Sequence, residues 1–429
     1  MNNYESYRDV QSFWMDKAPS HWKSLKNKHV FTQKKEIVGE NWESFTLLTM
    51  GKGGVKPRDM DGGGKFPESF EGYQVVNPDQ LIFCLFDLDE TPRTVGLSKD
   101  HGMITSAYDV FSTREGNDPK YWTYFYQTID DHKGLRPYYT GLRKVVRYDT
   151  FMGIDVYSPP LEEQNLISCY LDKKTSQIDS LINKIEKKIE LLKEQRTSLI
   201  NQYVTKGLNP NVEMKDSGDE WIGEIPKHWG VQKLKYLVTY NTETLDENTD
   251  SNYEFHYIEI GDVDYLDGVS ISPKINFSES PSRARRIVKP KDVIISTVRT
   301  YLRAIGVVPE VDDVICSTGF CVLRDQSGYL DQDFLSFTVK SEWFISKVIG
   351  NSYGVSYPAI NSSELVELKI TLPPLDEQKA IVEHLQINIS KFDRSIQLEE
   401  KRKSLLGEYR QSLISSAVTG KVKVTEKMI

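Results

Sequence analysis

Cysteine and histidine are both scarce. The four cysteines, Cys84, Cys169, Cys316 and Cys321, show no Cys-x-x-Cys spacing, so nothing supports a thiolate zinc site or a disulfide framework, and they read as small reduced core residues. The seven histidines (His21, His29, His101, His132, His228, His256 and His384) are scattered, with no pair at metal-ligand spacing. No run approaches the roughly 18 consecutive apolar residues that a spanning helix needs. The opening MNNYESYRDVQSFW lacks the basic-then-apolar pattern of an export signal. No membrane and a cytoplasmic location are the expectation.

Catalytic signatures are missing as well. The stretch GKGGVKPRDMDGGGK (51–65) has glycine and lysine without GxxxxGK[ST] spacing, and Phe66 stands where a magnesium-binding hydroxyl would be needed. Asp118-Pro119-Lys120-Tyr121 resembles the Asp-Pro-Pro-Tyr loop of amino-methyltransferases, but no glycine-rich methyl-donor site precedes it, so it is read as a turn. The acids between Glu243 and Asp267 lack EF-hand spacing. No enzyme and no metal site are expected.

What is present is a long chain of ordinary globular composition. Its 429 residues, 38% hydrophobic, 11% aromatic and 27% charged, call for about two to four structural units. Net charge is −8, yet it is unevenly spread. Thr239 to Gly268 holds nine acids and no base, whereas Arg283 to Arg303 holds seven bases (Arg283, Arg285, Arg286, Lys289, Lys291, Arg299, Arg303) against Asp292 alone. An acidic chain can therefore still present a basic surface.

The chain also repeats itself. Pro159–Thr205 aligns with Pro373–Thr419 at a constant shift of 214 without gaps, with 21 of 47 positions identical. Among the identities are Pro-Pro-Leu, Glu163/Glu377, Gln164/Gln378, Asp179/Asp393 and Arg196/Arg410. Each copy reads as one long helix. Leu171, Ile178, Ile185, Leu192 and Leu199 recur every seven residues, with Ile182, Ile189 and Tyr203 completing an a/d seam. The second seam runs through Leu385, Phe392, Leu406 and Leu413 with Ile389, Ile396 and Ala417, interrupted by Glu399, Lys403 and Arg410. Early acids suit the helix dipole, and Gly207 and Gly420 mark the ends. A helix this long with one apolar stripe needs a partner. A dimerising coiled coil between chains is one possibility; two copies in one chain favour an intramolecular antiparallel pair.

The segments before the helices echo one another more faintly. Pro19-Ser20-His21-Trp22 matches Pro226-Lys227-His228-Trp229, Val75-Val76-Asn77-Pro78 matches Ile287-Val288-Lys289-Pro290, and Ile104-Thr105-Ser106 echoes Ile315-Cys316-Ser317. Short runs such as FTLLTM, QLIFCLF, YWTYFYQT, KVVRY, HYIEI, DVIIST, AIGVV and DVICS predict strands, with a helix around Asp331 to Ile349. The fold class is thus α+β, an internal pseudo-twofold repeat of two globular domains separated by two long antiparallel helices that form an intramolecular coiled coil. Its expected divisions are 1–158, 159–207, 208–372 and 373–429.

Candidate binding residues sit in the basic segment. Arg283, Arg285 and Arg286 precede a buried strand, and Arg299, Thr300, Tyr301 and Arg303 follow it. Guanidinium forks fit phosphate oxygens and guanine edges, and neutral donors complete such a surface. Internal ion pairs with the acidic run are the competing reading. In the first domain the matching loop offers Arg93, Thr94 and Lys99, with Lys52 and Lys65 as substitutes. A second surface lies before each helix, at Gly141-Leu142-Arg143-Lys144 and Gly354-Val355-Ser356-Tyr357.

With the repeat in view, the chain resembles the specificity subunit of Type I restriction-modification systems. The likeness rests on Pro-Pro-Leu-x-Glu-Gln at 159–164 and 373–378, on MKDSGDEWIGEIPKHWGVQKLKYL (214–237) and on SYGVSYPAINSSELVELKITLPPLDEQ (352–378). The first domain keeps the Pro, His and Trp of that opening but not its Asp-Ser-Gly-x-x-Trp-Ile-Gly part. The resemblance implies two target-recognition domains, each reading half of a split asymmetric site in double-stranded DNA. It also implies helices that set the gap and dock two methyltransferase subunits, and motor-nuclease subunits that join for cleavage. S-adenosylmethionine, ATP and Mg would belong to those partners, and no cofactor to this chain. A coiled-coil adaptor that binds no DNA and joins two protein partners is the alternative.

Overall fold

A computed structural model describes residues 3–51, 53–59, 67–265 and 268–429. The chain divides into two compact units, residues 1–186 with 401–429, and residues 187–400. Each unit therefore holds a head and part of each long helix.

In the first unit, the head sheet has the strand order Phe31–Thr32, Asp109–Thr113, Leu81–Phe83, Val95–Leu97, all antiparallel. In the second unit the order is Val238–Tyr240, Phe320–Asp325, Val293–Ser296, Ile305–Val307, again antiparallel throughout. The registers correspond residue for residue: Ile82 lies opposite Val110 and Gly96, and Ile294 opposite Val322 and Gly306. Beside this sheet, Gln74–Val76 pairs with Gly102–Ile104 in the first head and Ala284–Val288 with Val314–Ser317 in the second. Ile104 faces Gln74 and Cys316 faces Arg286, so Ile104 corresponds to Cys316 and not, as the short sequence match suggests, to Ile315.

Two expected strands are corrected. YWTYFYQT lies in a helix, Pro119–Asp131. Asp118 caps it, accepting from the Lys120 and Tyr121 amides, and Pro119 occupies the first turn, so the supposed turn is a helix start. KVVRY forms no strand beyond a single Thr140–Val145 bridge, and Tyr148 begins a short helix. Around Asp331 the single expected helix is two, Gln332–Val339 and Glu342–Gly350.

The long helices span Leu161–Lys206 and Leu375–Val418. Left-handed glycines follow both, Gly207 (φ 71°) and Gly420 (φ 72°). Leu171, Ile178, Ile185 and Leu385 are buried along the seams, and Leu192, Leu199, Phe392, Leu406 and Leu413 are half-buried. The seam interruptions are charge partners. In the first unit Arg410 meets Asp179 at 2.9 Å and Lys403 meets Glu186 at 3.1 Å. In the second, Arg196 meets Asp393 at 3.3 Å and Lys188 meets Glu399 at 2.6 Å. As numbers rise on one helix they fall on the other, so the segments within each unit run antiparallel. The identity of Asp179/Asp393 and Arg196/Arg410 follows, because each Asp takes the Arg of the other copy.

The Glu-Gln pair that opens each helix anchors its head. Glu163 accepts from the Trp22 indole at 3.1 Å and the Tyr4 hydroxyl at 2.5 Å, and its other oxygen meets His21 at 2.8 Å. Glu377 repeats this with Trp229 at 3.0 Å and His228 at 2.8 Å. Gln164 accepts from the Asp118 amide at 2.9 Å, and Gln378 from the Asp331 amide at 2.7 Å. Trp22, Trp229, Gln164 and Gln378 are buried, where an unmet polar group is costly.

Candidate nucleic-acid interface

In each head, the loop leaving the second-to-last strand of the main sheet is zipped to a later hairpin. In the first head the Asp87 amide donates to the Arg143 carbonyl at 2.8 Å and the Val146 amide to the Leu85 carbonyl at 2.9 Å. In the second, the Arg299 amide donates to the Pro358 carbonyl at 2.8 Å and the Ile360 amide to the Thr297 carbonyl at 2.9 Å. Asp87 and Arg299 hold equivalent positions, five residues past Ile82 and Ile294, and both have left-handed backbone (φ 48° and 52°). The chemistry at that point is inverted. Asp87 takes the Arg143 guanidinium at 2.5 Å, and Asp89 takes Lys144 at 2.5 Å; these partners hold both carboxyls below the usual aspartate range. Arg299 instead lies over the Tyr357 ring at 4.7 Å.

The second head adds a cleft of about 680 Å³ beside this pair, lined by Arg283, Arg299, Glu259, Tyr257, Ser317 and Tyr357 among others. The exposed Arg283, Arg299, Glu259 and Tyr357 there offer both donors and acceptors to a base edge, while Tyr257 and Ser317 are buried in its wall. Glu259, Tyr257 and Ser317 escaped the sequence reading; only Glu259 carried a signal, as a member of the acidic run.

The comparisons with known proteins fit this picture. Residues 226–407 match the family model described as the Type I restriction modification DNA specificity domain. The Type I restriction enzyme MjaVIII specificity subunit of Methanocaldococcus jannaschii is 27% identical over 64% of this chain and 63% of its own length. The EcoKI specificity subunit of Escherichia coli K12 is 25% identical over 48% of this chain and 45% of its own. Over these stretches the chain is similar to the Type I restriction-modification specificity subunits. Its matches span less than two thirds of these curated specificity subunits. In fold, it is similar to a chain from a structure titled for complex assembly and conformational transition of the type I R-M system (TM-score 0.69, 14% identity, 94% of this chain and 99% of that one). It is similar also to the HsdS subunit crystal structure from Thermoanaerobacter tengcongensis (TM-score 0.51, 15% identity, 94% and 98%).

Within this specificity-subunit fold the candidate residues part company. Arg299, Tyr301, Ser356, Tyr357 and Arg283 are exposed on or beside the zipped loops, as are Arg143 and Lys144 in the first head. Others serve the interior. Thr94 and Thr300 are buried at 4% and 5% exposure; the Thr94 amide donates to Asp130, and the Thr300 hydroxyl bonds Ser352 at 2.9 Å. They shape their loops instead of facing outward. Arg93 is held by Asp130 and Asp131. Arg303 is clamped by Glu342 at 2.5 Å, and the Glu342 amide in turn donates to Asn201 of the first long helix. Arg285 lies over Phe277 and donates to the Ala284 carbonyl, and Arg286 is half-buried on its strand. Lys99 is exposed away from the zipped loops' hydrogen bonds. Lys52 and Lys65 lie outside the described residues.

Burial pushes the Cys321 thiol up to about 12 and raises that of Cys316, so both are inert. Burial also lowers the Lys340 ammonium to about 8, with Arg196 adding to the effect. Among the described residues no group of three or more His, Cys, Asp or Glu could hold a metal, and no helix is long and apolar enough to cross a membrane.

Proposed function

We propose that the chain is the non-catalytic, sequence-reading subunit of a Type I restriction-modification complex. Each head, residues 1–158 and 208–372, reads one half of a split asymmetric site in double-stranded DNA. The helical segments, 159–207 and 373–429, pair as an intramolecular antiparallel coiled coil, fix the unread gap and dock two methyltransferase subunits, with motor-nuclease subunits joining for cleavage. S-adenosylmethionine, ATP and Mg sit on those partners. One observation carries the reading: both heads present the same zipped pair of loops, built on one backbone plan but dressed with different side chains, as two readers of unlike half-sites require. Arg299, Tyr357 and Arg283 make the groove contacts in the second head, Arg143 and Lys144 make them in the first by exchanging Asp87 and Asp89 for phosphate, and joining two modest readers multiplies their selectivity.

Methylome sequencing of a host carrying this chain with its methyltransferase tests the proposal; one bipartite methylated sequence is expected. Binding to that sequence should weaken steeply with salt, and equal binding to all duplexes at every salt would refute sequence reading. The adaptor alternative draws on Arg93, Arg143, Lys144 and Arg303, which are all held in ion pairs. Arg299→Ala decides between them, since an adaptor would keep all its associations.

A further inference from the structure

The two zipped hairpins share a feature that no ion pair or core contact accounts for. In the first head the Thr140 and Val145 backbones exchange hydrogen bonds of 2.9 and 3.0 Å, and in the second Tyr353 and Ala359 exchange bonds of 2.8 and 2.9 Å. In each, the residue after the first bridge partner is a left-handed glycine, Gly141 (φ 69°) or Gly354 (φ 111°). In each, the next residue is a branched aliphatic held wholly in solvent, Leu142 at 101% and Val355 at 103% exposure.

A single exposed aliphatic means little. Here the hairpins differ in length and in nearly every other side chain, yet both keep an aliphatic at the same station. Each tip also stands next to a guanidinium suited to phosphate, Arg143 in one head, which pairs with Asp87 at 2.5 Å and would exchange it for a phosphate, and the Arg299–Tyr357 pair in the other. A protein-docking patch would need a wide apolar surface, whereas these tips are one side chain wide and ringed by charge and aromatic rings. A slot between stacked bases has that width and that negative rim.

We propose that Leu142 and Val355 are wedges, each entering the base stack of the half-site its head reads while the neighbouring cation grips the backbone. The proposal rests on the DNA-reading function above and adds how the duplex is deformed. Unstacking depends on sequence, so the wedges would contribute selectivity at a step that no hydrogen bond reads.

The test uses the full chain assembled with its methyltransferase subunits and duplexes carrying 2-aminopurine at successive positions of the mapped site. Wild type should raise fluorescence at one step in each half. Leu142→Ser should abolish the rise in one half only and Val355→Ser in the other, each weakening binding about tenfold, and Leu142→Phe should restore the signal. Rises that persist in both serine variants, or no rise at any step while wild type binds the site, overturn the wedge. So does loss of methyltransferase subunits from either serine variant on gel filtration, which would make the tips protein contacts. Wild type without sequence preference would instead sink the DNA-reading proposal itself.

Discussion

The two heads share a backbone and differ in how they hold it. At matching places in the sheet, the first head uses a neutral bond, Gln80 to the Ser112 hydroxyl at 3.0 Å, where the second uses Asp292 and Arg324 at 2.6 and 2.7 Å. Even the local turn is the same: the Asn77 amide donates to Gln80 at 2.7 Å and the Lys289 amide to Asp292 at 2.8 Å. The cores diverge in the same manner. Phe31 sits among Phe83, Phe111, Trp122, Tyr126 and Phe151. Its counterpart Val238 belongs to a largely aliphatic cluster with Val293, Ile295 and Leu323. Hydrogen-bond geometry and register thus survive exchange of both polarity and side-chain volume, which leaves the outward loops open to change.

The largest contrast should come from the cores. Phe31→Ala should cost about 3–5 kcal/mol through lost burial and cavity formation, and Val238→Ala about 2 kcal/mol. Hydrogen exchange of each head's sheet amides checks this separately, since two units need not unfold as one. Next is the polar strut. Asp292→Ala removes two of the Arg324 hydrogen bonds and the acceptor of the Lys289 amide but leaves Arg324 paired with Glu243 at 2.7 Å, so the loss should be about 1–2 kcal/mol, against about 1 kcal/mol for Gln80→Ala. Equal losses by the same measurement would show that the ionic version is no stronger than the neutral one.

The smallest contrast is an acid response. Asp87 and Asp89 have carboxyls lowered by Arg143 and Lys144. Their contribution is complete above the ordinary aspartate range and is lost as pH falls through their depressed folded values. Exchange protection of the Asp87 and Val145 amides should therefore drop in strong acid. The Arg299–Tyr357 contact has no carboxylate and should keep the Arg299 amide protected there, and parallel loss in both heads would break the contrast.

Much of this was legible beforehand. The helices, their glycine ends and the duplicated Asp and Arg positions were visible because a heptad seam and an ungapped repeat are one-dimensional patterns. The His-Trp and Glu-Gln matches were visible too, but not that Glu163 and Glu377 accept from the indoles, since that contact joins residues 141 and 148 apart. YWTYFYQT misled because aromatic content suggests strand, while the deciding signal was Asp-Pro at its start. The equivalence of Asp87 with Arg299 was hidden by opposite charge and shows only through backbone conformation. Thr94 and Thr300 were chosen for their hydroxyls, and burial is not written in a loop's composition.

The footing of each head has a practical corollary. Two adjacent side chains in a helix's first turn, Glu163 and Gln164 or Glu377 and Gln378, grip the head at a histidine-tryptophan step and at the amide of an aspartate cap. A foreign head grafted between those fixtures would inherit a ready socket if it carried His-Trp near its start and an aspartate-capped helix further on. The loops outward of that socket can then change without altering the contacts of the joint itself.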